Sequence, residues 1–179
     1  QMLWKVPRPT GEMVALRISA LTACAMVELT GRVRAGETVL VTAAAGGAGH
    51  FAVQFAKMAG CTVIGTCSSA EKARVLCKLG CDHIINHKTK DVGDALSRIA
   101  PDGVDVAFEG VGGRMLQTVL EHLKDDGRLL QVGYISEYPH NPERAVESAS
   151  NELDASSLFW ESETVSRGRQ TIHGNAWPK

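Results

Sequence analysis

Residues 38–51 read TVLVTAAAGGAGHF, and this stretch decides the fold of the chain. Residues 38–41 are β-branched or apolar, which is typical of a buried strand. A turn containing Gly46, Gly47 and Gly49 follows, and an apolar helix begins near Phe51. Glycines let backbone N–H groups approach an anion, and the start of a helix adds free donors and partial positive charge. The stretch therefore predicts a strand, a phosphate-binding turn and a helix.

The spacing of this turn differs from the usual G-x-G-x-x-G fingerprint of dinucleotide sites. It reads Ala43-x-x-Gly46-x-x-Gly49, so an alanine stands where the first glycine is expected. Taken alone this match is weak, and the rest of the chain has to support it.

Composition excludes several classes of partner. The chain has 179 residues, of which 44% are hydrophobic, and a formal net charge of -1. This balance fits a globular domain and argues against nucleic acid or an anionic membrane as the partner. Five scattered cysteines without a C-x-x-C pair favour a reducing compartment over a disulfide framework.

The region from residue 12 to residue 29 is predicted to be an amphipathic helix. Its apolar stripe is formed by Leu16, Leu21, Cys24, Ala25 and Leu29. Arg17 interrupts the apolar run, and no stretch of the chain is expected to be long enough to span a bilayer.

Residues 38–133 repeat one pattern, in which five strands alternate with four helices. The strands are expected at 38–43, 62–66, 83–86, 104–109 and 128–133. Parallel strands need crossover helices, so the prediction is an α/β fold with a doubly wound parallel sheet, the Rossmann fold. We place this domain at residues 35–136.

The segments on either side carry less signal. Residues 1–34 are expected to be a connecting segment and a helix. Residues 137–179 are expected to be a polar loop, irregular or disordered over 137–157, followed by a truncated last strand at 162–172. The domain is therefore expected to be incomplete at its C-terminal end.

The end of the second predicted strand indicates which cofactor is bound. An acidic residue there selects NAD, but residues 65–69 contain no carboxylate. Ser68 can bind a 2′-phosphate, and Lys72 lies one helical turn further on, where it can reach the same anion. We therefore predict NADP. The alternative is that Ser68 only caps the helix, in a capping box with Glu71, and that Lys72 is a solvated surface lysine.

Two further turns follow the third and fourth predicted strands, at the same edge of the sheet as the end of the second strand. His87 is either a contact of the adenosine end or an ordinary surface histidine. Residues 109–113 either let a cofactor approach closely or simply connect a strand to a helix. Cys81, His83 and His87 are close in sequence, but a fourth ligand at suitable spacing is lacking, so no metal site is predicted.

Four segments together resemble a known family: VLVTAAAGGAGHFAVQFAK, VIGTCSSAEKARVLCKLGCDHIINHK, GVDVAFEGVGG and GRLLQVGYIS. They are similar to the cofactor domain of the medium-chain dehydrogenase/reductase superfamily, in its zinc-independent quinone oxidoreductase and prostaglandin reductase branch. The resemblance covers residues 21–138. It implies a Rossmann domain without catalytic zinc, and a separate catalytic domain preceding this chain, which the chain lacks. It also implies a possible homodimer.

The resemblance further implies a set of NADPH contacts and a reaction. The reaction is hydride transfer to the β-carbon of an α,β-unsaturated ketone or to a quinone, followed by proton uptake, while the catalytic residues stay unassigned. His87 stands where relatives usually carry tyrosine, and Gly110 where they often carry serine or asparagine. The implied contacts are Gly46, Gly47, Ala48, Gly49, Ser68, Lys72, His87, Gly110, Val132, Gly133 and Tyr138.

Two other functions compete with this one. A nucleotide-binding module without catalytic activity would carry the same residues. A doubly wound methyltransferase domain is less favoured, because the second strand does not end in an acidic residue that would hold a ribose.

Overall fold

The computed structural model describes residues 6–8 and 10–138, together with the backbone of two short strands, Glu163–Thr164 and Ile172–His173. Its main sheet has five parallel strands in the order β3-β2-β1-β4-β5. These strands are β1 (Thr38–Val41), β2 (Thr62–Cys67), β3 (His83–Asn86), β4 (Val104–Glu109) and β5 (Leu123–Gln131). The strand order reverses between β1 and β4. The predicted doubly wound parallel sheet is confirmed.

In the described part of the chain, five helices surround this sheet. They are α1 (Gly11–Thr30), α2 (Gly49–Met58), α3 (Ala70–Lys78), α4 (Val92–Ile99) and α5 (Gly113–Glu121). Side chains of α1, α2 and α3 form one buried cluster with the strands, and those of α4 and α5 form a second. Successive residues of β1 belong alternately to the two clusters: Val39 and Val41 are in the first cluster, and Leu40 is in the second. Both faces of the sheet are therefore covered, as a parallel sheet requires.

Strand β5 begins earlier than the sequence predicts. Leu123 pairs with Val104, and after a shift in register Arg128 pairs with Val106. The polar residues between these two pairs are accommodated by the irregularity in the ladder, which the alternation of apolar residues does not reveal.

Helix α1 corrects two predictions. In the described part of the chain, its 20 residues form one helix that is long and apolar enough to cross a membrane. We expected no such stretch, but the criterion is weak because core helices and signal sequences also meet it. The predicted apolar stripe is not the buried one: Ala20, Ala23, Met26 and Val27 are buried, whereas Leu29 is 65% exposed. Nearly all faces of this helix are apolar, so periodicity could not select the packed face.

The predicted last strand at residues 162–172 lies mostly outside the described residues. Glu163–Thr164 and Ile172–His173 pair with each other in an antiparallel two-stranded sheet. These two short strands are therefore paired with each other and not with the strands of the main sheet. Most of the predicted polar loop, from residue 139 onward, lies outside the described residues.

Candidate functional site

The register of the parallel strands brings the predicted site residues to one edge of the sheet. Val41, near the end of β1, pairs with Gly65 on one side and Phe108 on the other. Cys67 pairs with Asn86, and Glu109 pairs with Gln131. The turns that follow all five strands therefore leave the sheet at its carboxyl edge, where open α/β sheets bind ligands.

Gly49 lets the glycine turn pack closely against the end of β1. A Cβ at Gly49 would lie 2.6 Å from the Ala43 carbonyl oxygen and 2.9 Å from the Cα of Ala44. The N–H of Gly46 donates to the Ala43 carbonyl at 2.8 Å, which closes the turn. Position 49 therefore admits only glycine without movement of the backbone.

Ala43 has φ of +44°, in the left-handed region that favours glycine. The alanine at the displaced fingerprint position therefore adopts a backbone shape typical of the residue it replaces. Its N–H donates to the Thr66 hydroxyl at 3.0 Å, and the Ala44 N–H donates to the Thr66 carbonyl at 2.9 Å. Thr66, a buried residue that the sequence reasoning missed, anchors the turn to β2. The signal was a threonine near the end of an otherwise apolar strand.

The start of α2 is open to an anion. Its N-cap residue is Ala48, which supplies no side-chain acceptor to the N–H groups of the first turn. Gly46 and Gly47 are exposed beside it. Uncapped donors at a helix N-terminus, approached by an exposed glycine turn, fit a phosphate group.

Ser68 and Lys72 lie together at the end of β2. The Lys72 ammonium donates to the Ser68 hydroxyl at 3.3 Å. The N-cap of α3 is Ser69, whose hydroxyl accepts the N–H of Lys72 at 3.2 Å. The predicted capping box between Ser68 and Glu71 is therefore wrong, because the extended residue before the helix is one position later. The capping role does not occupy Ser68, and its hydroxyl and the ammonium form a pair suited to a phosphate.

His87 is exposed and follows β3, next to the strand that ends before Ser68. The backbone N–H of His87 donates to the Cys67 carbonyl at 3.0 Å, which continues the ladder between β2 and β3 by one bond. The structure thus places the imidazole at the same end of the sheet as the Ser68 and Lys72 pair.

The remaining predicted residues lie on the other side of the strand reversal. Val132 donates its N–H to the Glu109 carbonyl at 2.7 Å, and a Cβ at Gly110 would lie 3.2 Å from Val132 Cγ2. The Tyr138 hydroxyl lies 3.2 Å from the position of a Cβ on Gly133. The rings of Tyr138 and Tyr134 pack edge to face with centroids 4.9 Å apart. Residues 132–138 thus fold over the turn that follows β4.

Buried side chains that the sequence reasoning did not single out support this turn. Glu109 is fully buried and Thr42 is 2% exposed. Glu109 accepts the N–H groups of Val111 and Gly112, and the Thr42 hydroxyl accepts the N–H of Gly110. Sequence reasoning treated residues 109–113 only as a glycine-rich connection. A carboxylate that ends an apolar strand was the available signal.

The cysteine and histidine group considered for a metal is not arranged as a site. Within the described residues, no three metal-ligating side chains cluster closely enough to hold an ion. Burial raises the pKa of Cys81 to about 11, and its thiol lies within hydrogen-bond distance of the Val63 and His83 carbonyls.

Residues 47–170 match the family model described as zinc-binding dehydrogenase, which is more than half of the chain. The chain belongs to this family. Proteins similar to it include a probable quinone oxidoreductase from Leishmania amazonensis, 48% identical over 134 residues. Prostaglandin reductase-3 from Bos taurus is 48% identical over 133 residues. These two matches cover 74% of this chain, but only 39% and 35% of the respective relatives.

A solved structure agrees with the sequence matches. The crystal structure of CurA in complex with NADPH from Vibrio vulnificus aligns with a TM-score of 0.70 and 30% identity. The alignment covers 83% of this chain and 46% of that protein. Together these findings confirm the predicted superfamily and its quinone oxidoreductase and prostaglandin reductase branch. The chain spans less than two fifths of the length of the two curated relatives.

Proposed function

We propose that this zinc-binding dehydrogenase chain is the NADPH-binding part of a reductase that acts on α,β-unsaturated ketones or quinones. The observation that carries the proposal is the pair formed by the Ser68 hydroxyl and the Lys72 ammonium, 3.3 Å apart at the end of β2. In a doubly wound sheet this position faces the ribose of the adenosine. A cation and a hydroxyl there favour a ribose that carries a phosphate.

The glycine turn would hold the pyrophosphate. Gly46 and Gly47 expose their backbone, and the uncapped first turn of α2 offers N–H groups and the positive end of the helix dipole. The close packing that Gly49 permits keeps this helix start against β1. His87 would border the adenosine from the end of β3.

The second half of the cofactor would extend across the strand reversal to Gly110, Val132, Gly133 and Tyr138. When bound, the nicotinamide supplies a hydride to the electron-poor carbon of the substrate. The residues of this chain would position the cofactor along the turns after β4 and β5. The names of the relatives, a quinone oxidoreductase and a prostaglandin reductase, support quinones and enones as the substrate class.

Calorimetric titration with NADPH and NADH tests the cofactor assignment. The unmodified chain should bind NADPH more tightly, and Lys72→Ala should lose roughly tenfold to a hundredfold in NADPH affinity, with little change for NADH. Lys78→Ala, which removes an exposed lysine from the last turn of the same helix, is the matched control and should bind as the unmodified chain does. Equal affinity of the unmodified chain for both nucleotides would contradict the assignment.

A second candidate is a nucleotide-binding module without turnover, since the site residues named above would hold the cofactor and none of them is assigned a role in the chemistry. The two candidates differ in one measurement, the loss of NADPH absorbance when an alkenal, a cyclic enone or a benzoquinone is added. Oxidation of NADPH above the rate without protein supports the reductase. Tight NADPH binding without oxidation by any of these substrates supports the module.

A further inference from the structure

Thr42 and Glu109 form a buried hydrogen-bonded pair at the point where the strand order reverses. Thr42 directly follows β1 and Glu109 ends β4, and these strands are neighbours in the sheet. The Thr42 hydroxyl donates to Glu109 Oε1 at 3.2 Å. Both side chains are almost completely buried, at 2% and 0% exposure. The pair thus connects the two strands between which a dinucleotide crosses the sheet.

This pair accepts three successive backbone N–H groups of the turn after β4. Gly110 donates to the Thr42 hydroxyl at 3.1 Å, and Val111 donates to Glu109 Oε1 at 2.7 Å. Gly112 donates to both carboxylate oxygens, at 3.2 and 3.1 Å. These two side chains, neither of which is part of the turn, therefore hold Gly110, Val111 and Gly112, while Glu137 Oε1 accepts the N–H of Gly113 at 2.6 Å.

An ordinary connection between a strand and a helix does not need such an arrangement. Burying a carboxylate is costly unless donors surround it, and a short exposed polar residue normally caps a helix. Here the N-cap of α5 is Gly112, with φ of +75°, and it has no side-chain cap of its own. The buried carboxylate instead holds Val111 and Gly112, just before the first helical residue, which makes the position of the turn depend on Thr42 and Glu109.

The turn after β4 also supports residues 132–138, which fold over it. A Cβ at Gly112 would lie 2.8 Å from the Cβ of Tyr134, so the two backbones are in close contact. Ile135 donates its N–H to the Gly110 carbonyl at 3.2 Å, and Ser136 donates to the Val111 carbonyl at 2.9 Å. A shift of the turn therefore has to move residues 132–138 as well.

We propose that Thr42 and Glu109 are positioning residues for the nicotinamide half of the cofactor. The inference rests on the proposed function, in which Ser68 and Lys72 bind the adenosine phosphate at the far side of the strand reversal. The pair touches neither half of the cofactor. It acts through the Gly110–Gly113 turn, so its loss should weaken binding of the nicotinamide half and leave the adenosine half unaffected.

Two ligands separate these halves. Adenosine 2′,5′-bisphosphate contains the adenosine and the 2′-phosphate but no nicotinamide, and NADPH contains both halves. Calorimetry on the full chain should show that Thr42→Val and Glu109→Gln each weaken NADPH binding by roughly tenfold. Both variants should bind adenosine 2′,5′-bisphosphate within about twofold of the unmodified chain. Thr42→Ser keeps the hydroxyl and should bind NADPH nearly normally.

Lys72→Ala should give a different pattern, because it should weaken the binding of both ligands. Circular dichroism melts show which variants are folded, and Glu109→Gln decides the matter if Thr42→Val does not fold. The inference is overturned if the folded variants bind both ligands equally more weakly, or if their affinity for both ligands is unchanged. It is also overturned if Thr42→Ser weakens NADPH binding as much as Thr42→Val does. If the unmodified chain binds adenosine 2′,5′-bisphosphate but not NADPH, the inference is overturned and the adenosine site is supported. If it binds neither ligand, the proposed function fails as well.

Discussion

At the scale of single residues, the glycine turn depends on backbone conformation more than on side chains. Ala43 takes a positive φ that glycine adopts readily, while Gly49 is required because a Cβ would meet the Ala43 carbonyl at 2.6 Å. At position 43 the backbone conformation favours glycine although the residue is alanine, and at position 49 the residue has to be glycine. Position 43 tolerates a strained alanine, whereas position 49 excludes one.

Ala43→Gly should therefore stabilise the fold. Relief of the left-handed alanine contributes about 1–2 kcal/mol, and the greater freedom of glycine in the unfolded chain offsets about 0.5–1 kcal/mol of it. The expected net gain is about 0.5–1 kcal/mol in the free energy of unfolding, measured by urea denaturation. Ala44→Gly is the matched control: Ala44 is fully buried beside it, and the substitution should lower stability. A loss of stability in Ala43→Gly would contradict the strain.

At the scale of elements, helix α3 separates two serines with different tasks. Ser69 caps the helix through its hydroxyl, and Ser68 accepts the Lys72 ammonium. Ser69→Ala should cost about 1 kcal/mol of stability, as the loss of an N-cap does. Ser68→Ala should change stability by less than about 0.5 kcal/mol and reduce the preference for NADPH over NADH. Thermal melts and nucleotide titrations on both variants check this. A loss of stability in Ser68→Ala together with a loss of the NADPH preference in Ser69→Ala would refute the assignment.

The amino edge of the sheet is held by ion pairs that also bind strand backbones. Asp105 accepts the Lys124 ammonium at 2.7 Å and the Thr38 N–H at 2.8 Å. Burial acts to raise the pKa of Asp105, but these hydrogen bonds outweigh it and hold the pKa below its usual range. Asp82 has the same arrangement with Lys57 and the Val63 N–H, and its pKa is lowered in the same way.

The lowered pKa makes the contribution of Asp105 depend on pH. The carboxylate stabilises the fold above the unfolded-state pKa of about 3.9, and this contribution is lost as the pH falls through the lower folded-state value. Asp105→Asn should therefore lower the urea midpoint near neutral pH, and the difference from the unmodified chain should shrink below about pH 4. The exposed Asp125→Asn serves as the control and should change neither value. A difference that stays constant into acid would contradict this account.

At the scale of the whole molecule, the sheet protects its thiols to different degrees. Cys77 is exposed on α3, whereas Cys81 is buried with a pKa raised to about 11 by burial. An aromatic disulfide reagent at about pH 8 should therefore label Cys77 at once and Cys81 only when the domain unfolds. Cys77→Ser should remove the fast phase, and urea should accelerate the slow one. Rapid labelling of Cys81 in the folded chain would show that the sheet opens locally.

The sequence alone was sufficient for elements that have clear turn residues at both ends. Strands β3 and β4 have the predicted bounds, because turn residues mark both of their ends. Prediction failed where one element offers several equivalent choices. Ser68 and Ser69 are both good caps, and only the observed backbone angles at Ser69 decide between them. Helix α1 is apolar on nearly every side, and its packed face depends on the sheet that it meets.

The predicted site residues are a mixed case. The sequence determined that they follow the five strands, and the parallel register then brings those strand ends to one edge. It could not show that the Ser68 hydroxyl stays available for the Lys72 ammonium, nor that Thr42 and Glu109 support the turn after β4. The residues of this last pair are 67 positions apart.

The sequence by itself thus determined the fold class, the order of strands and helices, and the family. These follow from local periodicity, turn residues and motif spacing, which act over a few residues at a time. Only the tertiary structure decided which face of α1 is buried, how the turn at Ala43 is anchored to Thr66, and how Thr42 meets Glu109. Such contacts arise when distant segments are brought together by the sheet, and their energy depends on burial that no local pattern records.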